Sequence, residues 1–141
     1  MIYYHYQDIE NWEMDFEEET AQWIDSIVVR NKQSIEELNF IFSTNEFVLY
    51  LNQKYLKHNY YTDVLTFDYS VPETQRIVAD IFISIEMVKE NATELNIPFI
   101  DELHRVMIHG VFHLLGFKDK NKKDKDKMRN LEDSSLNMRM F

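Results

Sequence analysis

The chain holds only two glycines, and both fall in one segment: His109-Gly110-Val111-Phe112-His113-Leu114-Leu115-Gly116-Phe117-Lys118-Asp119. No other stretch constrains the fold as much. His109 and His113 are four residues apart and stand one above the other on a helix, because positions i and i+4 share a face. Gly116 can take the left-handed conformation used at helix C-termini, which ends the helix and turns Asp119 back toward the histidines. Two nitrogens and a carboxylate then converge as a metal-ligating set. A His pair at this spacing arises by accident in roughly one such chain in six, whereas the pair with the glycine and a terminal Asp or His arises in roughly a few in ten thousand. The alternative is that His109 and His113 are satisfied polar residues on a buried helix.

The chain has no cysteine, so a bound metal must rely on nitrogen and oxygen ligands. Three ligands leave one tetrahedral position of Zn²⁺ open, as in a catalytic site. Metal binding brings the pKa of a water at that position from about 15.7 to about 7, giving a nucleophile near neutral pH. A carboxylate ligand makes that water somewhat less acidic than three histidines would. Two histidines with a carboxylate also match the facial triad of non-haem iron enzymes, so ligand type leaves the metal open. The spacing coincides with that of metzincin proteases as well. Those enzymes carry Glu directly after the first histidine as general base, and Gly110 in its place removes the proton acceptor for peptide hydrolysis.

A chain of 141 residues, 45% hydrophobic and 14% aromatic, can bury one core and is most simply a single domain. No repeat, low-complexity tract or Pro/Gly-rich linker divides it. Neither a secretory signal nor an apolar run long enough to span a membrane is present, so a soluble cytoplasmic protein is expected. The net charge of -10 opposes non-specific attraction to nucleic acid and anionic membranes. Residues 1–50 hold eleven Asp or Glu against Arg30 and Lys32, whereas residues 118–127 hold six lysines against three aspartates. That run suits a solvated helix start or a phosphate contact equally well.

Strands are expected at Ile2–Tyr6, Leu38–Ser43, Asp63–Tyr69 and Ile77–Ile85, from their β-branched and aromatic content or their alternation. Ser70–Arg76, with Pro72, reads as a loop. Helices are expected over Met14–Arg30, after a cap at Thr44 or Asn45, over Glu86–Leu95, from Phe99 to Leu115, and over Lys122–Met138. At roughly 100° per residue, Ile100, Leu103, Met107, Val111 and Leu114 of the motif helix form its apolar side. His109 and His113 share the remaining sector with Glu102 and Val106, at the edge of the core where a cleft can reach them. His104 points elsewhere and reads as a surface residue.

Together with Thr62-Asp63-Val64-Leu65-Thr66-Phe67, and Ala79-Asp80-Ile81 with Ser84, the motif resembles the YbeY endoribonuclease (rRNA maturation factor) family. The matching stretches keep the family's order and spacing, and the resemblance covers about Asn45 to Leu136. It implies a single α+β domain over residues 1–141, with a four-stranded mixed sheet flanked by about five helices. It further implies one zinc ion and single-strand-specific cleavage of RNA, in 16S rRNA 3′-end maturation and ribosome quality control. Three positions depart from the family. Asp119 stands where most members have a third histidine, Ala79 replaces a glycine before Asp80, and Leu56 replaces the Arg that follows Leu51-Asn52-Gln53-Lys54-Tyr55.

The expectation is therefore a zinc-dependent endoribonuclease, another divalent transition metal being an alternative. His109, His113 and Asp119 hold the ion, with His109 counted among the catalytic groups. Lys57 or His58, with the Lys118–Lys127 run, offsets phosphate charge in place of the lost Arg. Lys57 and His58 read equally as exposed residues at a helix end, and Asp63 and Asp80 either line the cleft or serve turn and strand-edge roles. The implied partners are precursor rRNA, the small ribosomal subunit and its assembly factors, with neither DNA nor membrane. The competing reading is a ribosome-assembly partner with a structural metal, to which the acidic balance and Leu56 lend support.

Overall fold

The β-branched and aromatic runs form strands and the amphipathic runs form helices. Their order is β1 (Ile2–Tyr6), α1 (Glu17–Arg30), β2 (Ser34–Ser43), α2 (Asn45–Leu56), β3 (Val64–Asp68), β4 (Arg76–Ser84), α3 (Ile85–Leu95), α4 (Phe99–Leu114) and α5 (Lys122–Asn137). The computed structural model describes residues 1–141. One mixed sheet has the order β1-β2-β4-β3. β1, β2 and β4 run parallel, joined by helical crossovers as parallel pairs require. β3 is the antiparallel edge strand on β4. The chain is thus the expected α+β fold with a four-stranded mixed sheet and five α-helices.

Alternation sends successive side chains to opposite faces of the sheet. Leu38, Phe40 and Phe42 of β2 and Ile77, Ala79, Ile81 and Ile83 of β4 are buried with residues of α1 and α4 in the main core. On the other face Val48 and Leu51 of α2 pack with Leu65, Phe67 and Phe82 in a smaller cluster. Asp80 shares that second face. Its carboxylate accepts from Asn39 Nδ2 at 3.1 Å, so of the two aspartates singled out in the sequence it turns away from the metal helix.

Several boundaries differ from expectation for local reasons. α1 begins at Glu17 because Phe16 has φ 59°, a left-handed backbone, and three glutamates then occupy the first turn, where negative charge favours the helix dipole. β2 starts at Ser34, before the alternating stretch, because its polar first residues pair with Arg76, Ile77 and Val78 despite an irregularity between Ile35 and Glu37. α3 starts at Ile85 because Ser84 Oγ accepts from Met87 N at 3.2 Å and caps it.

The functional helix α4 lies hard against the sheet. A Cβ at Gly110 would stand 3.1 Å from Ile81 Cδ1 and 3.2 Å from Ile81 Cγ2, tighter than ordinary contact. Absence of a side chain there lets the helix axis close on β4 and carries the two histidines past the start of β3.

His104, expected at the surface, is only 2% exposed. Its ring packs between Trp23 of α1 and Phe141, whose centroids lie 5.4 Å and 5.6 Å away. The C-terminal residues fold back over it, a contact that helical periodicity does not encode. Arg139 Nη1 donates to His104 Nδ1 at 2.8 Å, so the neutral ring carries its proton on Nε2. Burial first, and then the Arg139 charge, push its pKa down to about 4. The unfolded chain therefore takes up this proton near pH 6.5, before the folded one does. The prediction is that stability falls as pH drops from about 6.5 to about 4, by on the order of 3 kcal/mol from this residue. Urea unfolding at pH 7 and pH 5 checks it: His104→Gln should flatten the difference, and an equal slope in both proteins would refute the assignment.

Candidate metal centre

The end of α4 builds the site by local rules. Gly116 has φ 101°. Gly116 N donates to His113 O at 3.0 Å and Phe117 N to Phe112 O at 3.0 Å, the paired bonds of a Schellman turn. The apolar contact that accompanies such a turn is the Phe112–Phe117 ring pair, 5.6 Å apart and edge to face. This reversal places the Phe117 carbonyl where it accepts from His113 Nδ1 at 3.0 Å. It also brings Asp119 back over the histidines, as the motif implied.

His109 is oriented from a different element. Its Nδ1 donates to Glu132 Oε2 of α5 at 2.7 Å, and Arg105 Nη1 holds the other oxygen of that carboxylate at 3.1 Å. With both Nδ1 atoms occupied, both Nε2 atoms turn inward and stand 2.9 Å apart. Asp119 Oδ2 completes the group at 3.4 Å from His109 Nε2 and 3.5 Å from His113 Nε2. For bonds of about 2.0–2.1 Å, tetrahedral ligands around one zinc lie roughly 3.3 Å apart. The three donors match that spacing, and the second partners of both imidazoles are the kind that metal-bound histidines use. His109, His113 and Asp119 thus fit a transition-metal ion.

The centre opens on a cavity of about 400 Å³ bordered by His109 and Asp119, by Asp63, Val64, Glu102, Arg105 and Val106, and by Lys125, Met128, Arg129 and Glu132 of α5. The ligand side chains are part exposed, 23% for His109, 31% for His113 and 40% for Asp119. Burial opposes the charge on His109, yet the Glu132 hydrogen bond and the carboxylates of Glu132, Asp119 and Asp63 outweigh it and raise its pKa. Protons therefore compete with metal at this ring as the pH falls. Asp63, singled out in the sequence, does line the cavity and accepts from Asn91 Nδ2 at 3.2 Å. Burial raises its pKa, partly countered by His109.

Asn52 pins the chain that leads to Asp63, donating through Nδ2 to Tyr60 O at 2.9 Å while its backbone carbonyl accepts from His58 N at 3.1 Å. Leu56 ends α2 and is exposed. Lys57 caps that helix with φ 59°, and the His58 ring stacks on Tyr60 at 5.2 Å. Neither borders the cavity at the centre. The lysine run divides: Asn121 Oδ1 caps α5 by accepting from Asp124 N at 2.8 Å, Lys122 pairs with Asp126 at 2.9 Å, and Lys125 reaches the cavity. Glu132, Arg105 and Arg129 were not singled out in the sequence. Glu132 had a signal, a carboxylate in phase with Met128 and Ser135 on the apolar side of α5.

A family model described as "Endoribonuclease YbeY" matches residues 4–139. The chain is 48% identical over 123 residues to the endoribonuclease YbeY of Cytophaga hutchinsonii, covering 87% of this chain and 85% of that one. It is 46% identical over 132 residues to the endoribonuclease YbeY of Flavobacterium psychrophilum, covering 91% and 93%. The solution structure of a Thermotoga maritima protein superposes with a TM-score of 0.63 at 26% identity, covering 96% of this chain and 89% of that one.

Two substitutions probe how the site is held. Glu132→Gln weakens the acceptor behind His109 and should lower zinc affinity by about 10- to 100-fold in a competition titration against a chromogenic chelator. Gly116→Ala meets no atom within 4 Å, so its expected cost of about 1–2 kcal/mol comes from the left-handed backbone alone. A denaturation midpoint unchanged by that substitution would contradict the role given to the turn.

Proposed function

The chain belongs to the endoribonuclease YbeY family, and from that premise we propose that it is a zinc-dependent, single-strand-specific endoribonuclease acting on precursor rRNA, in 16S rRNA 3′-end maturation and ribosome quality control. The observation that carries the metal dependence is the convergence of His109 Nε2, His113 Nε2 and Asp119 Oδ2 at the edge of a cavity. Imidazole nitrogens favour zinc over magnesium, which prefers oxygen ligands and waters. Another divalent transition metal with the same preference would take the same donors. A bound zinc ion supplies an activated water near neutral pH and withdraws charge from a phosphoryl oxygen.

The chain's own residues define what that chemistry can act on. Glu132 and the Phe117 carbonyl hold both imidazoles in the Nδ1–H tautomer, so their Nε2 lone pairs are presented to the ion without rearrangement. Arg105 neutralises Glu132 and Asp133, at 3.1 Å and 2.9 Å, and keeps the wall of the cavity from becoming wholly anionic. Lys57 and His58, exposed after α2, are assigned to the backbone of flanking nucleotides. Splayed bases and a backbone flexible enough to bend into a cleft are available only in single strands, which suits a centre set in a cleft. The partners proposed are the small ribosomal subunit and its assembly factors, in the cytoplasm. No helix is long and apolar enough to cross a membrane.

A structural metal site closes with four protein ligands, whereas three part-exposed donors meet here. The two roles separate on metal removal. Chelator-treated protein should lose cleavage of a single-stranded RNA and regain it with zinc, while its thermal midpoint moves by only a few degrees. His113→Ala should abolish cleavage in the same way and remain folded by circular dichroism. Global unfolding on chelation would transfer the ion to a structural role and sink the catalytic reading.

A further inference from the structure

We infer that Lys125 and Arg129, one turn apart on α5, grip the RNA phosphate presented to the metal ligands. The inference rests on the endoribonuclease reading and deepens it. A phosphodiester entering the cavity is anionic, and it meets Asp63, Glu102, Asp119 and Glu132. Cations facing it must offset that charge.

The cavity has three cationic side chains, of which one is already committed. Arg105 lies 3.1 Å from Glu132, 2.9 Å from Asp133 and 3.8 Å from Glu102. Lys125 and Arg129 border the same cavity as His109 and Asp119, are exposed, and stand within 4 Å of no carboxylate. Their spacing puts them on one face of α5 with Glu132, seven positions after Lys125. Because Glu132 holds His109 at 2.7 Å, the contact that orients the ligand also aims this face at the centre. The guanidinium suits a phosphate through paired hydrogen bonds, and the lysine adds a mobile point charge. Two other lysines of the run serve elsewhere, Lys122 on Asp126 at 2.9 Å and Lys127 over the Phe117 ring at 5.2 Å.

The test is fluorescence anisotropy of a fluorescein-labelled single-stranded RNA titrated with zinc-loaded protein over a series of KCl concentrations, with cleavage followed on gels in parallel. Each phosphate contact contributes about 0.7 to the slope of log affinity against log salt for a single strand. Arg129→Ala should lower the slope by about 0.7, and Lys125→Ala with Arg129→Ala by about 1.4. Arg129→Lys should retain most of it. Zinc content and unfolding midpoint should match the parent protein. An unchanged slope in the double variant, while the parent binds and cleaves, would overturn the inference and leave the enzyme reading standing. Loss of zinc from the variants would reassign the pair to holding the centre and overturn it as well. A parent protein that neither binds nor cleaves RNA would overturn the enzyme reading, and this inference with it.

Discussion

Two imidazole Nε2 atoms held 2.9 Å apart would repel with both unprotonated, and a positive charge between them, a proton or a metal ion, removes that repulsion. The protein fixes them there from behind. Glu132 and the Phe117 carbonyl each take an Nδ1 proton, which removes the alternative tautomers that would relieve the repulsion. A cation placed among these nitrogens and Asp119 converts the repulsion into ligation without moving any element. The cost of arranging the donors is met when the chain folds, so metal affinity does not have to supply it.

That arrangement depends on both glycines, for different reasons. Gly116 is needed for its backbone, since φ 101° is disfavoured for residues with a Cβ while the space around it is open. Gly110 is needed for its size, since Ile81, wholly buried on a central strand, leaves a Cβ only 3.1–3.2 Å. The same crowding disfavours a protease-like general base at the position after His109. A side chain there would press on Ile81, which would have to give by a few tenths of an ångström, and it would point at β4 rather than at the ligands.

What could be read from the sequence follows the range of the interactions involved. The helix from Phe99, its end at Gly116 and the return of Asp119 are all set within a few residues, and a local pattern declares them. The strands at Val64 and Ile77 declared themselves by composition. The partner of His109 lies on α5, 23 positions along the chain, and only tertiary packing brings it there. His104 was placed outside because helical periodicity reports one helix against one core, and the rings of Trp23 and Phe141 form a second apolar contact. Asp80 and Asp63 looked equivalent as strand residues. The register would set both on one face, since Asp80 pairs with Phe67, but Asp63 lies just before β3, outside the pleat, and borders the cavity while Asp80 stays beside Asn39.

The net charge of -10 sits awkwardly with an RNA substrate until distance is considered. At physiological ionic strength charges are screened over about 8 Å, so a phosphate at the centre responds to the groups lining the cavity far more than to the total. The acidic excess is concentrated in residues 1–50, and the basic excess follows Phe117 on the segment that leads into α5. Screening weakens the repulsion from the remote acidic part more than the attraction from cations bordering the cavity. The cavity sets Arg105, Lys125 and Arg129 against four carboxylates, so a divalent ion among the three ligands would tip it cationic, and such a protein would bind RNA weakly except where the chain enters that site. This is a route to specificity for an enzyme that must leave most of the RNA around it uncut.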